Sequence, residues 1–123
     1  MPRLLLVDDD WQLLELYKLI LEHAGHEVQI AETCRAASLL LVETDPDVVI
    51  VDLHVPEMED GLAFIRSLRH YTRSPGCRAR KVIVTSGWTE DLPAEVEREF
   101  VDRVLPKPVR MEVLLRSIAE LAQ

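Results

Sequence analysis

Leu4-Leu5-Leu6-Val7-Asp8-Asp9-Asp10 is a short aliphatic run that stops abruptly at three acids, and Val48-Val49-Ile50-Val51-Asp52 repeats the pattern further along. A strand with one wet face alternates apolar and polar residues, so unbroken aliphatic runs of this length suit strands buried on both faces. Working outward from the first run, Asp10 can cap a helix in which Leu13, Leu14, Tyr17, Ile20, Leu21 and Ala24 recur at three- and four-residue spacing, with Gly25 placed for a left-handed stop. Glu27 to Ala31 reads as a second strand, Thr33 as a cap, and Ala36, Ala37, Leu40 and Leu41 as the inward stripe of a second helix ending before Asp45-Pro46.

After the third strand, a loop from Pro56 to Gly61 leads into a third helix predicted over about 61–71, with Leu62, Ile65, Leu68 and Arg69 near one another and Arg73-Ser74-Pro75-Gly76 as its polar exit. Val82-Ile83-Val84-Thr85 is the fourth strand. A charged helix with Glu95, Glu97, Arg98 and Glu99 follows, then a short strand Arg103-Val104-Leu105, then Lys107-Pro108 and a last helix carrying Val113, Leu114, Ile118 and Leu121. Five strand–helix units in strict alternation predict an α/β fold, an open doubly wound parallel sheet with helices on both sides.

Composition narrows the function classes. The chain has 123 residues, a formal charge of −8 and 48% hydrophobic residues, which fits one globular domain over residues 1–123 and argues against disorder. A net-negative surface repels phosphate backbones, and the densest basic stretch, Arg78, Arg80 and Lys81, is short, so nucleic acid is not expected as a direct partner. No apolar run approaches the roughly 20 residues of a membrane span, and the amino terminus has no small-residue cleavage site. A cytoplasmic location is expected. Cys34 and Cys77 form no CxxC or Cys/His cluster, so neither a disulfide framework nor a zinc site is indicated. The four glycines cannot make a GxGxxG or phosphate-loop motif.

The chemistry-bearing residues gather at the carboxyl ends of the strands: Asp8 and Asp9 after the first, Asp52 after the third, Thr85 and Ser86 after the fourth, Lys107 after the fifth. Doubly wound sheets bind ligands at those ends, where the winding reverses, and a 2-1-3-4-5 order would set strands one and three side by side there. Any one of these acids alone is ordinarily a helix cap or a solvated turn. Three carboxylates brought together must share a proton or bind a cation, and hard oxygen donors without a His/Cys cluster favour Mg²⁺. With Lys107 and Mg²⁺ the pocket is formally neutral. A dication, a lysine, a hydroxyl and a lone carboxylate are the parts needed to place a phosphoryl group on Asp52 as a covalent nucleophile.

In its motifs the chain resembles the receiver domain of two-component response regulators, CheY-like in its (βα)5 arrangement, over nearly its whole length: Leu5-Leu6-Val7-Asp8-Asp9-Asp10, Val49-Ile50-Val51-Asp52-Leu53 with Pro56, Val82-Ile83-Val84-Thr85-Ser86-Gly87, and Val104-Leu105-Pro106-Lys107-Pro108. The resemblance implies that Asp52 accepts a phosphoryl group from a histidine kinase or histidine phosphotransfer protein, and that Asp8, Asp9, Asp52 and the backbone carbonyl of His54 hold Mg²⁺. It implies that Ser86 before Gly87 supplies the hydroxyl, with Thr85 the alternative, and that Lys107 supplies the positive charge, usually ahead of a cis peptide to Pro108. It further implies that residues flanking the site, here His54 and Trp88, tune the phosphoryl lifetime, and that a face of the fourth helix, fifth strand and fifth helix meets a downstream protein. A monomer or weak dimer, acting as a signalling switch and not as an enzyme on an external substrate, is the corresponding expectation.

The chain departs from the family pattern at several positions. Pro56-Glu57-Met58-Glu59-Asp60-Gly61 is one residue longer than the usual Pro-x-Met-Asp-Gly, Val104 stands where a switching Tyr or Phe is usual, Phe100 stands where Gly is common, and the polar segment from Arg73 to Lys81 is extended. A phosphorylation-independent interaction module is therefore the alternative reading, and an aspartyl-phosphate phosphatase a third, although the second acid such enzymes carry two residues on is here His54.

Overall fold

The computed structural model describes residues 2–71, 73–87 and 92–122. Its elements are β1 (Arg3–Val7), α1 (Trp11–His23), β2 (Glu27–Ala31), α2 (Cys34–Thr44), β3 (Val48–Asp52), α3 (Met58–Ser67) with a 3₁₀ turn at Leu68–His70, β4 (Lys81–Ser86), α4 (Ala94–Phe100), β5 (Arg103–Pro106) and α5 (Met111–Leu121). All strand pairs are parallel, and the sheet order is β2-β1-β3-β4-β5.

Strand alternation divides the aliphatic runs between two cores. Leu5, Val7, Val49, Val51, Val82 and Val84 pack with Ala37, Leu41, Ile65 and Val96 of α2, α3 and α4. Leu4, Leu6, Val48, Ile50 and Ile83 pack with Leu14, Leu21, Leu114 and Ile118 of α1 and α5. Every β3 side chain is buried, so that strand has no wet face to mark with a polar residue.

The caps follow local chemistry. Asp10 accepts a hydrogen bond from Leu13 N at 3.2 Å and Thr33 one from Ala36 N at 3.1 Å, while Gly25 takes φ 102° after α1. Two boundaries differ from the sequence reading. The segment 56–61 is not wholly loop, because α3 begins at Met58, where Asp60 N and Gly61 N both donate to Glu57 O at 3.1 Å and Glu59 and Asp60 sit in the first turn at the positive end of the helix dipole. At its other end α3 tightens into the 3₁₀ turn and stops at His70, short of 71.

A further feature lies at the amino-terminal end of the sheet. Asp45, left-handed at φ 46°, accepts Arg73 Nε at 3.0 Å, Arg80 Nη2 at 2.8 Å and Ser74 N at 3.1 Å. Asp47 accepts Arg3 N at 2.7 Å and Arg73 Nη2 at 2.8 Å. The extended polar segment is thereby tied to the turn before β3. Burial opposes the charged form of Asp45, but the Ser74 and Arg73 donors outweigh it and hold the carboxyl well below its usual range.

Candidate phosphoryl-transfer site

Sheet register builds the site. Val7 of β1 lies opposite Val51 of β3, so Asp8 emerges beside Asp52; Asp52 lies opposite Thr85, and Ser86 opposite Pro106. Lys107 N donates to Ser86 O at 2.8 Å, which continues the ladder one residue past β5 and brings the lysine to the same end.

Carboxylate oxygens of Asp8, Asp9 and Asp52 lie within 4.8 Å of one another. Asp8 and Asp52 are buried, at 7% and 6% exposure, and Asp9 is exposed. Lys107 Nζ reaches Asp8 Oδ2 at 3.1 Å and Asp52 Oδ2 at 3.0 Å. The remaining oxygens are oriented from the backbone: Asp10 N donates to Asp8 Oδ1 at 3.0 Å and His54 N to Asp52 Oδ1 at 3.2 Å. Burial raises the Asp9 carboxyl above its usual range, and the neighbouring charges of Asp8 and Asp52 raise it further. For Lys107, burial disfavours the ammonium, but the hydrogen bond to Asp52 and the charges of Asp8 and Asp52 prevail and raise its pKa. An electron-rich nest with one ammonium in it is a fit for a small, hard dication that keeps several waters, held by the three carboxylates from one side.

The other expected residues are distributed as follows. Ser86 is fully buried and Thr85 nearly so. His54 is half-buried directly beyond Asp52 and Leu53. Trp88 lies outside the described residues. Val104 pairs with Val84 in the sheet and packs, half-buried, against the core under α2, α3 and α4. The Lys107–Pro108 peptide is cis, and so is Val55–Pro56, which the motifs did not announce.

Three contributors near the site escaped the sequence reading. Cys34 Sγ, at the start of α2, donates to Val55 O at 3.4 Å and lies 3.7 Å from Asp60 O, joining α2 to the loop after the acceptor strand; burial, with a smaller effect of Asp60, pushes its thiol up to about 11. Gly61 passes directly over the Leu53 backbone, and a Cβ there would lie 1.9 Å from Leu53 O. Finally, a cavity of about 420 Å³ adjoins Asp8 and Lys107 between α1 and the chain after β5, walled by Leu13, Tyr17, Pro108 and Val109. Leu13 and Tyr17 carry only a helical-stripe signal in sequence, because the wall facing them comes from residues nearly a hundred positions away.

Known proteins share this fold. The family model described as response regulator receiver domain matches residues 4–119. The virulence transcriptional regulatory protein PhoP of Salmonella typhimurium is 35% identical over 99% of this chain, which spans 55% of that protein's length. The receiver domain (CheY-like) from Methylobacillus flagellatus has a TM-score of 0.85 at 26% identity, covering 98% of both chains. The response regulator TrrA of Thermotoga maritima, solved with Mg(2+)-BeF, has the same fold at a TM-score of 0.81 and 24% identity, with 98% of this chain and 99% of that one covered.

Proposed function

The chain belongs to the response regulator receiver family, and from that premise we propose that Asp52 takes a phosphoryl group from a histidine kinase or histidine phosphotransfer protein and that the added charge switches a protein-binding face made by α4, β5 and α5. The observation that carries this reading is the convergence of Asp8, Asp9 and Asp52 on one point with Lys107 between two of them.

In the proposed step Asp52 Oδ attacks the phosphorus of a phosphohistidine, the new O–P bond forms as the P–N bond breaks, and the imidazole leaves with the electron pair and takes up a proton. The backbone N–H of His54 orients the attacking carboxylate through the other oxygen, so the nucleophile is positioned before the donor arrives. Lys107, kept protonated by its two carboxylate neighbours, supplies positive charge to the phosphoryl oxygens, and the Ser86 hydroxyl donates a hydrogen bond to them. Asp8, Asp9, Asp52 and the His54 carbonyl would hold Mg²⁺, which when bound neutralises charge on the transferring group; TrrA, of the same fold, was solved with Mg(2+)-BeF. His54 and Trp88 flank the acceptor and the hydroxyl residue in sequence and are assigned to limiting water access to the phosphoryl group.

The test is intact mass after incubation with acetyl phosphate and Mg²⁺. Wild type gains one phosphoryl mass and Asp52→Asn gains none. A gain that survives Asp52→Asn refutes the acceptor assignment, and no gain in wild type favours a module that signals through binding alone.

A further inference from the structure

Between Asp60 and Glu90 the sequence has no acidic residue, yet it carries Arg66, Arg69, Arg73, Arg78, Arg80 and Lys81, in a chain whose net charge is −8. The fold consumes two of these cations, since Arg73 and Arg80 are turned inward onto Asp45 and Asp47. It leaves others around a groove of about 610 Å³ between the 3₁₀ turn, the start of β4 and the end of α4. That volume lies within the roughly 300–1,000 Å³ typical of binding sites. The groove's apolar walls are Ile65, Leu68, Tyr71, Val82 and Phe100, and Arg69, Lys81 and Arg98 carry its positive charge.

Glu99 and Asp102 reduce that charge without matching the three cations. Asp102 Oδ2 accepts Val82 N at 2.8 Å, which anchors it to the backbone and, among the described residues, leaves it out of ion-pair range of Arg69, Lys81 and Arg98. Glu99 pairs with Arg69 at 3.3 Å, but both side chains are more than half exposed, and solvent-exposed pairs contribute little. An incoming carboxylate can therefore take Arg69, which also stacks over Phe100 with its guanidinium carbon 4.3 Å from the ring centroid. Among the described residues no carboxylate lies in ion-pair range of Lys81 or Arg98.

We propose that this groove docks an acidic peptide segment of a partner protein, its carboxylates on Arg69, Lys81 and Arg98 and one apolar side chain on Leu68, Val82 and Phe100. Three accessible cations interleaved with Glu99 and Asp102 suit a few discrete carboxylates better than the continuous row of phosphates that a nucleic acid presents. The walls are concave, whereas a membrane is met by a protruding amphipathic face. The groove opens at the amino-terminal end of β4, so Lys81 and Ser86 stand roughly 16 Å apart along the strand, and docking is separable from phosphoryl uptake.

The probe is a fluorescein-labelled peptide of Asp and Glu interrupted by one Leu and one Phe, titrated by fluorescence anisotropy against its Asn/Gln counterpart, with and without added salt. The acidic peptide binds at least about tenfold tighter than the amide peptide, and K81E/R98E weakens it by about tenfold or more, while Arg35→Glu on α2 leaves binding unchanged. Acetyl phosphate labelling of Asp52 at the wild-type rate shows that K81E/R98E is folded. Equal binding by K81E/R98E and wild type, or by the amide and acidic peptides, overturns the proposal. So does binding of a single-stranded oligonucleotide or of phosphatidylglycerol vesicles that depends on Lys81 and Arg98 while the acidic peptide does not bind.

Discussion

Gly61→Ala sets two large effects against each other. In an unobstructed helix interior the change would stabilise by about 1 kcal/mol, because alanine loses less backbone freedom on folding. Here the new Cβ would lie 1.9 Å from Leu53 O and 2.7 Å from Leu53 C, where real contacts are essentially never under 3.0 Å, so about 1.1 Å of relative movement is needed. Neither side yields easily: the obstacle is backbone, Leu53 is fully buried, and its N–H is fastened to Thr85 O at 3.0 Å. Overpacking costs about 1–3 kcal/mol, and a rigid backbone obstacle belongs at the upper end, so the net expectation is destabilisation by about 2 kcal/mol. Leu53 also lies between Asp52 and the His54 N–H that orients it, and a displacement of about 1 Å near a reacting group can cost on the order of a hundredfold in rate. Urea unfolding should show a lower midpoint with unchanged slope, and acetyl phosphate labelling should slow by at least about tenfold. A midpoint equal to or above wild type would mean that the Leu53 backbone moves freely, and the account of the glycine would fail.

Asp45→Asn leaves Arg73 and Arg80, whose side chains are 13% and 6% exposed, without their shared carboxylate, and the cost is about 3 kcal/mol at pH 7. The carboxyl is held below its usual range, so this stability is present above the unfolded pKa and is lost as pH falls through the folded value; midpoints of wild type and variant should converge in acid, and a gap that stays constant would refute the pairing. Asp9→Asn should slightly stabilise the metal-free protein, by no more than about 0.5 kcal/mol since the residue is exposed and screened, because burial and the charges of Asp8 and Asp52 already disfavour its charged form. The same variant should lose most Mg²⁺-dependent labelling, and unchanged Mg²⁺ dependence would remove Asp9 from the cation site. Trp88→Ala should speed loss of the phosphoryl group by several-fold in a mass-resolved time course, and an unchanged rate would dismiss the proposed water-excluding role.

The strands and the side of the sheet that carries the chemistry were legible because both rest on local patterns. The aliphatic runs of β1, β3 and β4, each bounded by a polar residue at its carboxyl end, read as buried strands, and alternation with amphipathic segments favours parallel pairing. The boundaries of α3 were less legible: Pro56, Asp60 and Gly61 are turn formers by composition, and only the close approach to Leu53 explains a glycine inside the helix. Cys34 gave no warning of its place against Val55 and Asp60, since a lone thiol has no spacing to read.

By itself, then, the sequence determined the α/β class and which residue types stand at the strand ends, since periodicity and strand-end chemistry are properties of neighbouring residues. Tertiary structure decided what depends on distant segments meeting at particular distances. It placed Lys107 between Asp8 and Asp52, tied the extended Arg73–Arg80 segment to Asp45 and Asp47, and left Lys81 and Arg98 beside a groove while it neutralised Arg73 and Arg80. Charge is countable along a chain, but whether a cation is spent on a buried carboxylate or remains available to a partner depends on side-chain geometry, which neighbours in sequence do not specify.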